Sequence, residues 1–122
     1  MKTQLQAFIE TFNQAFANVD LDVIANSVTD DVVWKMVGDR TVTGKEEMIR
    51  LLKEMDDGQS YKLTIEHVIT HGTTAAANGK MKTVRSSGEV RTFEFCDVYQ
   101  LNKHKGGKIK TLTSYVMEAV EE

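Results

Sequence analysis

The chain has 122 residues, 27% charged and 41% hydrophobic, with a net charge of −3. That length suits one domain around one core, and the acidic balance excludes the strongly basic face expected of a nucleic-acid-binding domain. A single cysteine forbids an internal disulfide, no stretch approaches the ~20 apolar residues of a membrane span, and residues 1–12 lack the apolar run of a leader peptide. A cytoplasmic protein with neither a nucleic-acid nor a membrane partner is therefore expected.

In chain order, Leu5, Phe8, Ile9, Phe12, Ala15, Phe16 and Val19 recur at three- and four-residue steps, the signature of an amphipathic helix with a broad apolar face. Asp20 is placed to cap a short second helix carrying Leu21, Ile24, Ala25 and Val28, which Asp30 and Asp31 should end. Residues 32–36, VVWKM, switch to strand composition. Thr43 followed by Glu46 has the spacing of a capping box, opening a third helix with Met48, Ile49, Leu52 and Met55 on its apolar stripe and Gly58 as its stop. From Tyr61 onward the pattern becomes strands: 61–71, a weaker 72–86, 89–101 after a Ser-Ser-Gly turn, and 108–120. The basic run 102–110, broken by Gly106 and Gly107, reads as a solvated hairpin loop.

Helices followed by antiparallel strands imply an α+β fold, with the helices on one face of a curved antiparallel sheet. A sheet curled around a long first helix would enclose a conical cavity, a shape suited to small apolar molecules.

Four segments, NVDLDVIANSVTDDVVW (18–34), VTGKEEMIRLL (42–52), FCDVYQL (95–101) and GGKIKTLTSYV (106–116), resemble in order and spacing the nuclear transport factor 2-like superfamily. Within it, the resemblance is to the SnoaL-like polyketide cyclases and ketosteroid isomerases. It covers nearly the whole chain and implies one domain over residues 1–122. The fold it implies is a cone-shaped, curved antiparallel sheet wrapped around three N-terminal helices, usually dimeric through the outer sheet face. Asp97 falls on the strand where the ketosteroid isomerases keep a protonated carboxyl that donates to a developing oxyanion. Their helix tyrosine aligns with Phe12 and their catalytic base with Met36, so two of the three groups are missing and steroid isomerisation by that route is not implied. The SnoaL-like cyclases use an acidic acid/base in the cavity, and Asp97 fits that branch.

The candidate residues centre on FEFCDVYQL (93–101). Read with period two, Phe93, Phe95, Asp97, Tyr99 and Leu101 share one face, with Cys96 on the other. A carboxylate within an aromatic stripe is costly to bury unless partnered, so Asp97 is either a structural anchor or a working acid in an apolar pocket. On strand 61–71, His67 shares the alternation of Leu63, Ile65, Ile69 and His71, which would place it on the apolar face as a second titrating group or as a satisfied core histidine. Four strand residues span about 13 Å, so His67 and His71 cannot share a zinc ion, and no metal site is expected. Phe12 and Phe16 on the first helix, Trp34 and Met36 on the first strand, and Ser114 and Val116 on the last would line the pocket, Tyr115 having the opposite parity. Arg85 and Arg91 flank a turn and read as surface residues pairing near Glu89. The expectation is a binder of a small apolar or aromatic metabolite. If Asp97 is catalytic, with His67, the reaction would be cyclisation, isomerisation or dehydration with no cofactor. The alternative is a non-catalytic ligand-binding or dimerisation module.

Overall fold

The computed structural model describes residues 2–56 and 61–119. Helix α1 (Gln4–Asn18) begins at Thr3, whose hydroxyl accepts from the Gln6 amide while the Gln6 side chain accepts from Thr3's, a reciprocal cap. It ends at Val19, in the left-handed region at φ 52°. Asp20 accepts from the Val23 amide and starts α2 (Leu21–Ser27). Then come β1 (Val28–Met36), β2 (Thr41–Thr43), α3 (Lys45–Met55), β3 (Tyr61–His71), β4 (Thr74–Val84), β5 (Val90–Leu101) and β6 (Ile109–Glu118).

The six strands form one curved, unclosed sheet in the order β2-β1-β6-β5-β4-β3. All neighbours are antiparallel except β1 and β6, which run parallel and so depart from the wholly antiparallel sheet expected from the sequence. The helices cover the inner face. Ile9, Phe12, Ile24, Val32, Met48, Tyr99 and Leu112 make the centre of the core, each essentially inaccessible.

Local details differ from the sequence reading for identifiable reasons. Strand β1 starts at Val28, and Asp30 and Asp31 lie exposed within it rather than closing α2. An irregularity in the β1–β6 register between Val28 and Val33 lets both acids point outward while Val28 and Val32 stay in the core. Helix α3 has Gly44 as its N-cap, with no side-chain bond, so the expected Thr43–Glu46 box does not form; Thr43 is held in β2, opposite Val33. Gly58, the expected stop, lies outside the described residues. Strand β2 escaped the sequence reading because three residues are too few to show a period.

The largest correction is on β3. Its pairing with β4 slips by one residue between Ile65 and His67. Tyr61, Leu63 and Ile65 face inward, but beyond the bulge the inward residues are Val68 and Thr70, and His67, Ile69 and His71 are exposed. One extra residue reverses every side chain after it. Opposite the bulge, Gly79 lies against β3 so closely that a Cβ there would press into the Thr64 carbonyl oxygen.

Candidate functional site

The site is built on the inner face of β5. Alternation along this strand turns Phe93, Phe95, Asp97, Tyr99 and Leu101 inward and leaves Cys96 and Val98 on the outer side. Strand pairing sets Asp97 between Ser114 of β6 and Ala77 of β4, with Met36 of β1 beyond Ser114. The next cross-strand row is Trp34, Leu112, Tyr99 and Ala75. Between this wall and the helices lies a cavity of about 430 Å³. Phe16 and Asn13 enter it from α1, Leu52 from α3, and Trp34, Met36, Phe95, Asp97, Ser114 and Val116 from the sheet. Exposed Val37, Asp39, Met55 and Asp56, with half-buried Tyr61, mark its mouth.

Two hydrogen-bond chains converge on Asp97. From α1, Asn13 Nδ2 donates to Tyr99 Oη at 2.7 Å, and the Tyr99 hydroxyl donates to Asp97 Oδ2 at 3.4 Å. From β1, Trp34 Nε1 donates to Ser114 Oγ at 3.1 Å, and Ser114 is hydrogen-bonded in turn to Asp97. Because Asn13 and Trp34 each supply a proton to the hydroxyl beside them, both hydroxyls can turn their own protons onto the carboxylate.

Burial among rings pushes the Asp97 carboxyl up from 3.8 to about 6, against the opposing pull of the bonds from Ser114 and Tyr99, which favour the charged form. The Tyr99 hydroxyl is raised well above the usual phenol range, first by burial and then by the Asp97 charge, so it stays protonated and remains a donor. At neutral pH Asp97 is mostly ionised yet close to its midpoint. A group so placed can take a proton from a bound molecule and return it.

Of the residues singled out in the sequence, Phe16, Trp34, Met36, Phe95, Asp97, Ser114 and Val116 meet on the cavity wall. Phe12 and Tyr99 lie one layer behind, packed edge to face at 6.1 Å between ring centres. Phe93 is half-buried under the Arg91 guanidinium, 5.2 Å from its ring centre. Arg91 pairs with Glu118 across the strands, with Glu89 adding a lesser attraction. His67 is on the opposite side of the sheet, its Nδ1 3.0 Å from Asn78 Oδ1; the β3 bulge turns it away from the cavity. Among the described residues no three His, Cys, Asp or Glu side chains cluster as metal ligands.

Asn13 was missed, although a signal was present. It is an amide on the apolar face of a helix, one turn from both Ile9 and Phe16, and it is 5% exposed. A buried amide there demands partners, and it finds the Ile9 carbonyl and Tyr99. Asp39 and Asp56 carried no such signal, since helix and strand ends bring them to the mouth only in three dimensions.

A curved sheet over three helices, with one acid on the wall of an apolar cavity, defines a cone-shaped α+β class of protein. The SnoaL-like domain family matches residues 9–111, and the chain belongs to that family. No curated protein matches the sequence. Among solved structures, an NTF2-like protein of unknown function from Cytophaga hutchinsonii is 24% identical with a TM-score of 0.73, over 92% of this chain and 98% of its own. An LEH-like epoxide hydrolase of Mycobacterium tuberculosis is 20% identical with a TM-score of 0.77, over 92% of this chain and 81% of its own. A protein assigned as a SnoaL-like polyketide cyclase in Shewanella putrefaciens is 15% identical with a TM-score of 0.80, over 94% of this chain and 80% of its own. At these identities the likeness establishes the fold.

Proposed function

We propose that the protein binds a small apolar or aromatic metabolite in the cavity and that Asp97 moves a proton on it, as base and then as acid, without a cofactor. Cyclisation, isomerisation and dehydration are the reaction classes that need no more than such a transfer. The observation that carries this reading is the carboxyl itself: it stands at the depth of an apolar cavity, titrates near 6, and is oriented by two hydroxyls that are themselves oriented. Phe16, Trp34, Met36, Phe95, Ser114 and Val116 would hold the guest, with Phe12, Phe93 and Tyr99 supporting them. The neighbours assigned as a polyketide cyclase and an epoxide hydrolase support small-molecule chemistry as a use of this fold; the fold alone does not carry an activity.

A second reading, a ligand-binding module with no chemistry, draws on Phe12 and Met36. By the resemblance, Phe12 and Met36 take the places of the ketosteroid isomerases' helix tyrosine and catalytic base, and neither can ionise. The exposed apolar side chains Ile69, Val98, Tyr115 and Met117 on the outer side of the sheet support a homodimer under either reading. No helix among the described residues is long and apolar enough to cross a membrane, and a cytoplasmic location remains the proposal.

A thermal-shift screen against aromatic and terpenoid metabolites, run beside Asp97→Asn and followed by turnover assays on the hits, tests the choice. The catalytic reading expects product formation that Asp97→Asn lowers by about 10²- to 10⁴-fold. Hits that stabilise both proteins equally and are never converted would leave Asp97 a scaffold residue and the domain a binder.

A further inference from the structure

The cavity's hydrogen-bonding capacity is one-sided. Asn13 Nδ2 carries two protons: one goes to the Ile9 carbonyl at 2.9 Å and the other to Tyr99 at 2.7 Å. The single Trp34 N–H goes to Ser114. The Tyr99 and Ser114 protons go to Asp97. Each group has a fixed number of protons, so none of these four has one left for a guest. The Met36 and Val37 amides donate to the Arg40 and Ser114 carbonyls. At the mouth Tyr61 has an interaction of its own, and the Asp39 and Asp56 carboxyls add acceptor oxygens. No Lys, Arg or His lines the cavity among the described residues.

Asp97 is the reverse case. An ionised carboxylate offers about four lone-pair positions, and its side-chain partners are the two hydroxyls. Capacity to accept is left over on a residue that lines the cavity.

The geometry points to a donor-selective pocket: it takes an apolar guest that brings its own O–H or N–H to Asp97, an alcohol, phenol or protonated amine. It discriminates against carboxylates, phosphates and guests whose only polar atom is an acceptor. This rests on the reading of the cavity as a ligand site, and it narrows that reading to a ligand class. An anion would lie beside Asp97 with no cation to compensate it, and a lone carbonyl or ether oxygen would be buried without a donor, which costs more than the missing bond. Ser114, Trp34 and Asn13 act as positioning residues, since they use up the donors and fix their direction.

Four probes of one shape separate the possibilities: 2-naphthol, 2-naphthylmethylamine, 2-methoxynaphthalene and 2-naphthoic acid. Binding to the full chain is followed at pH 8 by fluorescence of Trp34, the single tryptophan, and by calorimetry. The naphthol and the amine are expected to bind about tenfold or more tightly than the methoxy compound, with the naphthoate weakest. If the amine leads the alcohol, charge contributes; if they are equal, hydrogen bonding suffices; either order supports the inference. Asp97→Asn, which brings an amide donor of its own, is expected to shrink the gap and admit the naphthoate. Equal binding of naphthol and its methoxy or carboxylate analogue would overturn donor selectivity while leaving the cavity a ligand site. Failure of all four, the donor-free compound included, would remove the ligand site and the inference with it. The probe series is read on the unsubstituted protein, so it decides the matter even if the variant does not fold.

Discussion

Asp97 is held between two opposing demands. Desolvation by Phe95, Trp34 and Met36 favours its neutral form, and the Ser114 and Tyr99 hydroxyls favour its charge; desolvation prevails and sets the midpoint at about 6. Between about pH 4 and 6 the folded protein therefore binds more proton than the unfolded chain. The stability this group contributes is complete below 3.8 and is lost as pH rises toward 6. The linkage amounts to roughly 2–3 kcal/mol. Asp97→Asn should match the wild type near pH 4 and exceed it at pH 8 by roughly 5 °C or more in melting temperature, read by differential scanning calorimetry across pH. A difference that stays constant with pH would show that Asp97 is not desolvated. Asp97 was legible as an inward carboxyl because alternation along one strand is local. Its two hydrogen-bond chains were not, because Asn13, Trp34 and Ser114 reach it from three other elements.

Elements are placed by their ends and irregularities as much as by their patterns. Asp20 makes the cap expected of it, and Thr43 does not. Asp20→Ala should lower stability by about 1 kcal/mol and Thr43→Ala by less than about 0.5 kcal/mol in urea titrations. A larger loss at Thr43 would mean that β2, not the cap, depends on it. On β4, Gly79 has no room for a Cβ beside the Thr64 carbonyl, which is backbone and cannot rotate away. Gly79→Ala is expected to cost about 1–3 kcal/mol and to weaken amide protection across β3 and β4 in hydrogen exchange. A neutral substitution would show that the bulge relaxes freely. The same bulge explains why His67 was misplaced: period-two reading is right up to Ile65, and a single slip after it inverts the rest of β3.

At the scale of the molecule, the sheet has two faces with different uses. The inner one closes over α1 and leaves the cavity. The outer one carries Tyr115 beside Cys96, and Val98 beside Ala76, in adjacent cross-strand rows, with exposed Ile69 and Met117 nearby. Apolar side chains collected on one sheet face are better covered than solvated. If two copies cover them, light scattering on the wild type gives twice the mass of the 122-residue chain. Val98→Glu combined with Met117→Glu then gives a monomer that still binds 2-naphthol. A monomeric wild type would show that this face is not a self-interface.

The sequence by itself determined the α+β order of elements, the apolar face of α1, and the inward alternation of β5 that puts a carboxyl among rings. Each follows from backbone geometry repeated over neighbouring residues. Only the tertiary structure decided that β1 runs parallel to β6, that His67 lies outside, and that the donors around Asp97 are already used. Those depend on register and on partners many residues away along the chain, and no local pattern encodes which hydroxyl proton points where.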